Sequence, residues 1–102
     1  MEGVNKMTND TARVIAQKIN ELEGVFGAHK VLCVRQGRDN KGVSFEVQVK
    51  GFANVPDNET VIYEKRKDAE YPYQKSAVVN SVMFLAIGTI EDMQKEFKQK
   101  AV

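Results

Sequence analysis

Apolar side chains near the N-terminus recur every three or four residues, which predicts a helix with one apolar face. We expect this helix to begin at Asp10 or Thr11, because either side chain can accept a hydrogen bond from a free backbone N–H group. Gly24 and Gly27 should end it, since glycine adopts the left-handed conformation of a helix terminus without steric cost. The apolar positions are Ala12, Ile15, Ala16, Ile19 and Leu22.

Strict alternation of apolar and polar residues from Val43 to Val49 predicts a strand with one face on the core and one in water. The segment Lys30–Gln36 is apolar and β-branched, and it is predicted to be a strand with both faces partly covered. The polar segment Gly37–Gly42 separates the two strands. We therefore expect a β-hairpin with a long tip.

A turn-rich segment precedes Thr60–Lys65, which is predicted to be a third strand. The apolar segment Ser76–Gly88 favours a strand, which Asn80 and Ser81 can divide into a tight hairpin with Val82–Ile87 as the return strand. A single strand and a buried helix are the open alternatives for this segment.

A second helix is predicted at the C-terminus. Thr89 suits its N-cap position, and Glu91 and Asp92 follow in the first turn, where the helix dipole favours negative charge. Its inward stripe should consist of Ile90, Met93 and Phe97.

Together these elements predict an α+β fold in the order α-β-β-β-(β-β)-α. We expect a mostly antiparallel sheet of three to five strands, flanked by an N-terminal and a C-terminal helix that both pack on one face of the sheet. At 102 residues, the chain should form a single compact domain over residues 1–102, with residues 1–8 as a flexible leader and Met7 as an alternative start.

The charge balance limits the classes of partner. Fifteen Lys and Arg residues against fourteen Asp and Glu residues give a net charge of +1, which argues against an acidic nucleic-acid mimic and against a strongly basic nucleic-acid binder. The N-terminus lacks the apolar stretch of a signal peptide, and no apolar run is long enough to span a membrane. We therefore expect a cytoplasmic protein that has no membrane partner.

No arrangement of residues in the sequence indicates catalysis. His29 and Cys33 are the single histidine and the single cysteine, and four residues along a strand separate them by about 13 Å, too far for direct proton transfer. Cys33 is more simply explained as a buried, unreactive thiol. Without a second histidine or cysteine, no structural zinc site can be completed. We expect a non-enzymatic protein with no metal and no cofactor.

Basic residues and tyrosines supply the candidate binding surface. Tyrosines on a proline-stiffened loop lose little entropy on binding, which suits them to anchor a protein partner. Stacking aromatics beside Arg and Lys also fit a nucleotide or single-stranded nucleic acid, although interleaved acidic residues reduce the local positive field. The candidate residues are Arg35, Arg38, Lys41, Lys65, Arg66, Tyr71 and Tyr73.

The segment Val78–Ile87 carries apolar residues on both faces, and a helical layer covers only one face of a sheet. Met83, Leu85 and Ile87 are therefore candidates for self-association, with a homodimer as the expected state. The sequence predicts a small interaction module that binds and modulates a macromolecular partner, in the manner of accessory or regulatory proteins of bacterial or phage type. The alternative is a protein that binds nucleotides or single-stranded nucleic acid.

Overall fold

The chain folds as two helices around a five-stranded sheet, in a computed structural model that describes residues 6–37 and 42–100. The strands lie side by side in the order β1-β2-β5-β4-β3. Every neighbouring pair is antiparallel except β2 and β5, which are parallel. This confirms the predicted α+β class and element order. The elements are α1 (Asn9–Ala28), β1 (Val31–Gln36), β2 (Phe45–Val49), a 3-10 turn η1 (Phe52–Asn54), β3 (Ile62–Lys65), β4 (Tyr73–Val79), β5 (Val82–Gly88) and α2 (Ile90–Lys100).

The predicted β1–β2 hairpin is confirmed, and it forms one edge of the sheet. The register pairs Val31 with Val49 and Val34 with Val47, and a bulge interrupts it after Val31. Of the alternating residues in β2, Val47 and Val49 are buried as expected, whereas Phe45 is 45% exposed. The expectation that both faces of β1 are partly covered is wrong, because β1 is an edge strand and is exposed from its second residue onward.

The hairpin reading of Ser76–Gly88 is also confirmed, and the single-strand and helix alternatives are wrong. Asn80 and Ser81 have φ values of 50° and 66°, so both turn residues adopt the left-handed backbone that a two-residue hairpin turn requires. Asparagine tolerates this conformation better than most residues do. The turn returns the chain as β5, which lies at the centre of the sheet.

The core lies on one face of the sheet, between the central strands, η1 and α2. Its buried residues come from β2, η1 and its flank, β4 and β5, namely Val47, Val49, Phe52, Val55, Ala77 and Ala86. Thr89 caps α2 as predicted, since its Oγ1 accepts from the N–H of Asp92 while its own N–H donates to the Asp92 carboxylate.

The predicted inward stripe of α2 is only partly correct. Met93 packs against the core, but Ile90 and Phe97 are 56% and 48% exposed, and Glu96 is buried instead. The reason is a polar contact, because Glu96 accepts hydrogen bonds from buried Lys75 and from the Tyr63 hydroxyl. The helix is rotated so that this carboxylate faces the sheet.

Helix α1 begins two or three residues earlier than expected and ends one residue after Gly27. Thr8, rather than Asp10 or Thr11, caps it by accepting from the N–H of Thr11. No residue of α1 is buried, so the expectation that both helices pack on the sheet holds for α2 alone. The projecting helix lengthens the molecule: its radius of gyration is 16.8 Å, against about 13 Å for a compact chain of this length. In the described part of the chain, no helix has the length and apolar character needed to cross a membrane.

Candidate functional site

The predicted binding residues lie at two opposite corners of the sheet. Arg35 is on β1 and Lys65 on β3, and these strands are the two edges of the sheet. Four strand spacings separate the edges by about 19 Å. The register also places Arg35 toward one end of the strands and Lys65 toward the other. The structure therefore does not bring the two basic groups into one site.

Arg35 is engaged by a cross-strand carboxylate. Its Nε donates to Glu46 Oε1 at 2.9 Å, in the register that pairs the two residues. This hydrogen bond, supported by the negative charge of Glu46, raises the pKa of Arg35. The positive charge at this corner is thus largely balanced by Glu46. Arg38 and Lys41, the other two basic residues predicted near the hairpin tip, lie outside the described residues.

The loop between β3 and β4 is held by Asp68 and Arg66. Asp68 accepts from the backbone N–H groups of Glu70 and Tyr71, at 2.9 and 3.0 Å, and these two hydrogen bonds lower the pKa of its carboxyl. Arg66 Nη1 donates to the carbonyl of Tyr71 at 2.8 Å. Arg66 therefore helps to shape the loop, and its charge has Asp68 as a neighbour at 3.9 Å.

The two tyrosines of this loop differ in what they can offer to a partner. Tyr71 is 37% exposed, whereas Tyr73 belongs to β4 and packs against the core. Lys65 is exposed and pairs with Tyr73 across the β3–β4 register. Lys65, Arg66 and Tyr71 are thus gathered at one corner of the sheet, with Tyr73 beneath them as a core residue.

The residues predicted for self-association lie on the face of the sheet opposite the core. Leu85 is only 5% exposed between its cross-strand partners Gln48 and Ser76, while Met83 and Ile87 are half-buried. Leu85 therefore has little surface left for a partner, and this stripe offers less apolar area than the sequence suggested.

Cys33 is exposed, so the expectation of a buried thiol is wrong. Cys33 follows the bulge in β1 at the sheet edge, and its sulfur lies 3.8 Å from Gln48 Oε1 and 3.9 Å from Arg35 Nη1. Among the described residues, no group of three or more histidine, cysteine, aspartate and glutamate side chains is placed to hold a metal ion.

A buried polar cluster joins α2 to the sheet, and it was not predicted. Lys75 and Glu96 form an ion pair at 3% and 8% exposure. Tyr63 donates to the same carboxylate at 2.7 Å, and Lys75 also donates to the carbonyl of Phe52 at 3.2 Å. The available signal was a lysine at a core-facing position of an apolar strand, which needs a buried acid. The cluster faces the protein interior, and its contacts assign it to the docking of α2.

Helix α1 carries more exposed large apolar side chains than any other described element, namely Val14, Ile15, Ile19, Leu22 and Val25. We use the name α1 apolar face for Ala12, Ile15, Ile19, Leu22 and Phe26. Its three large aliphatic residues, Ile15, Ile19 and Leu22, are 42%, 56% and 43% exposed. A helix that is polar on one side and apolar on the other normally buries the apolar side, so this face is the strongest candidate for a binding surface.

Comparisons with known proteins give no relative on which a function could be based. The chain matches no protein family, no curated protein and no solved structure.

Proposed function

We propose that this protein is a small non-enzymatic interaction module whose binding element is α1. Its occupant is a helix with a complementary apolar stripe, and through this contact the protein acts as an accessory or regulatory partner. The observation that carries the proposal is a 20-residue helix with a regular apolar face and no buried residue. Such a surface costs free energy in water unless something covers it.

The chemistry of the flanks favours a helix as the occupant over a sheet. Lys18 and Glu23 lie on the two sides of the α1 apolar face, within a wider apolar arc that Val14, Ala16 and Val25 extend. A second helix that packs along the α1 apolar face leaves both charges at the margins of the contact, in water. Packing α1 on the flat sheet would bring both charged side chains toward apolar surface, which costs several kcal/mol per unpaired ion.

The corner formed by Lys65, Arg66 and Tyr71 is a secondary surface in this proposal. It is the remaining support for the alternative, binding of a nucleotide or single-stranded nucleic acid. Arg66 is held by Tyr71 and Asp68, and Arg35 by Glu46 at the far edge. With its cations partly neutralised, the corner has a weak attraction for phosphate. A cytoplasmic location belongs to the same proposal, since the exposed thiol of Cys33 is kept reduced there.

The rate of thiol labelling tests whether the α1 apolar face is free to bind. In a Cys33→Ser background, Ile19→Cys places one thiol on the face, and Gln17→Cys places one on the opposite side of the same helix as the matched control. In dilute protein, both thiols should react at similar rates. When a helical peptide with a complementary apolar stripe is added, or when the protein is concentrated, Cys at position 19 should become protected while Cys at position 17 stays reactive.

One pattern of labelling would refute the proposal. If position 19 is protected at every dilution, and position 17 is not, the face is covered within its own chain and the proposed function is wrong. A uniform rate at both positions under dilution, with selective protection on association, supports the proposal.

A further inference from the structure

The α1 apolar face has the spacing of a coiled-coil seam. From Ala12 through Ile15, Ile19 and Leu22 to Phe26, the intervals are three, four, three and four residues. This mean interval of 3.5 residues is the heptad repeat, in which alternate apolar positions of two helices interlock. The seam spans fourteen residues, or about 21 Å of helix.

The charges beside the seam are complementary between two copies of the helix. In the heptad repeat, Lys18 lies just before the seam residue Ile19, on one side of the seam. Glu23 lies just after the seam residue Leu22, on the other side and five residues after Lys18. In a parallel pair of identical helices, these are the positions that meet across the interface, so Lys18 of each copy faces Glu23 of the other. An antiparallel pair that crosses near the middle of the seam instead brings the two Lys18 side chains together.

From this pattern we propose that the helix bound by α1 is α1 of a second copy, in a parallel two-stranded coiled coil. This inference rests on the proposed function and names its partner. Among the described residues, Lys18 forms a loose ion pair with Glu21 at 3.7 Å, and its side chain is 69% exposed. Its ammonium has three donors, so it can reach Glu23 of the second copy without losing that contact.

The geometry places both sheets at the same end of the dimer. Each α1 leads into its own β1 through two residues, His29 and Lys30, so the sheets emerge beside the C-terminal end of the coiled coil. The seam is shorter than the three or four heptads of a stable coiled coil. The dimer should therefore dissociate on dilution and act as a reversible element.

Charge reversal tests the pairing. Lys18→Glu and Glu23→Lys each turn two attractive contacts into two repulsive ones, so each single variant should dimerise roughly tenfold more weakly than the natural chain. The double variant Lys18→Glu/Glu23→Lys should recover the natural dimerisation. A mixture of the two single variants should form heterodimers in preference to either homodimer. The measurement is sedimentation equilibrium of the full chain at low salt.

Disulfide trapping tests the parallel direction. In a Cys33→Ser background, Ala12→Cys should form a covalent dimer under mild oxidation, because position 12 faces itself in a parallel pair. In an antiparallel pair, position 12 of one helix lies opposite position 22 of the other. The two residues at position 12 are then about 15 Å apart along the helix axis. Gln17→Cys, on the outer side of the helix, is the control and should form no covalent dimer.

These experiments separate the two proposals. A chain that is monomeric at all concentrations overturns the homodimer, and so does a dimer that ignores charge reversal and is not trapped at position 12. Neither result touches the proposed function if Cys at position 19 labels freely, since the face then remains available to another helix. Protection of position 19 in the monomer overturns both.

Discussion

Removing one member of the buried Lys75–Glu96 pair should cost a large part of the folding free energy. Lys75→Met replaces the ammonium by an apolar side chain of similar length and leaves the Glu96 carboxylate buried at 8% exposure. Tyr63 still donates one hydrogen bond to it. Breaking a buried ion pair in this way costs about 3–5 kcal/mol, and because the Tyr63 hydrogen bond remains, the expected loss is about 3 kcal/mol.

Replacing the whole cluster by apolar groups should restore most of that loss. In Tyr63→Phe/Lys75→Met/Glu96→Leu, no buried charge remains without a partner. The carbonyl of Phe52, which loses the Lys75 donor, keeps its hydrogen bond from the N–H of Val55 at 3.1 Å. Apolar replacement of a buried ion pair is often neutral or stabilising. The triple variant should therefore be within about 1.5 kcal/mol of the natural chain.

Urea denaturation followed by circular dichroism measures these differences. With a slope of about 1–3 kcal/mol per molar urea, a loss of about 3 kcal/mol moves the midpoint by at least about 1 M. All samples are compared at one protein concentration, since self-association would add to the apparent stability. Lys95→Met makes the same change on the exposed side of α2 and should move the free energy of unfolding by less than about 0.5 kcal/mol.

Two results would refute this reasoning. In the first, Lys75→Met costs no more than Lys95→Met. In the second, the losses caused by Lys75→Met and Glu96→Leu simply add in the double variant, which would mean that the two groups do not interact. If the single variants fail to fold, the triple variant still decides the question, because it should fold.

Three further predictions follow from single positions. Gly88→Ala should destabilise the protein by about 1–3 kcal/mol, because the added methyl group would lie 2.5 Å from the ring of Phe52; the melting temperature checks this. Gly24→Ala should slow amide exchange in α1, since the methyl group meets no atom within 4 Å and alanine stabilises a helix by about 0.5–1 kcal/mol relative to glycine. The pKa of the Asp68 carboxyl is lowered from 3.8 in the folded state. Its two hydrogen bonds to the loop are therefore complete above pH 3.8, and they are lost only as the pH falls through the lowered pKa. The Tyr71 amide, followed by NMR, should titrate with a midpoint below 3.8.

Local signals in the sequence were sufficient for the secondary structure. The alternation in β2, the Asn80–Ser81 turn and the Thr89 cap each depend on a few neighbouring residues, and all three are present. These features reflect backbone geometry and short-range hydrogen bonds, which the sequence alone specifies.

The order of the strands depends on contacts that no local pattern encodes. The parallel pairing of β2 with β5 joins residues far apart in sequence, and it leaves β1 and β3 as the two edges. Arg35 and Lys65 were predicted to serve one binding surface because both are basic, with tyrosines near Lys65. With the strands in this order they lie on opposite edges, and neither charge nor spacing in the sequence carried that information.

What covers α1 is a different problem. The periodicity of the sequence shows that one face of the helix is apolar, but it does not show which surface packs against that face. The prediction assigned the face to the sheet, since small α+β domains usually cover their sheets with helices. The position of two charges was the neglected signal. Lys18 and Glu23 lie on the two sides of the seam, within an apolar arc that Val14, Ala16 and Val25 extend. Packing this arc on the sheet would remove both charges from water. In the proposed parallel pair of helices, the same two charges stay at the margins of the contact and attract each other.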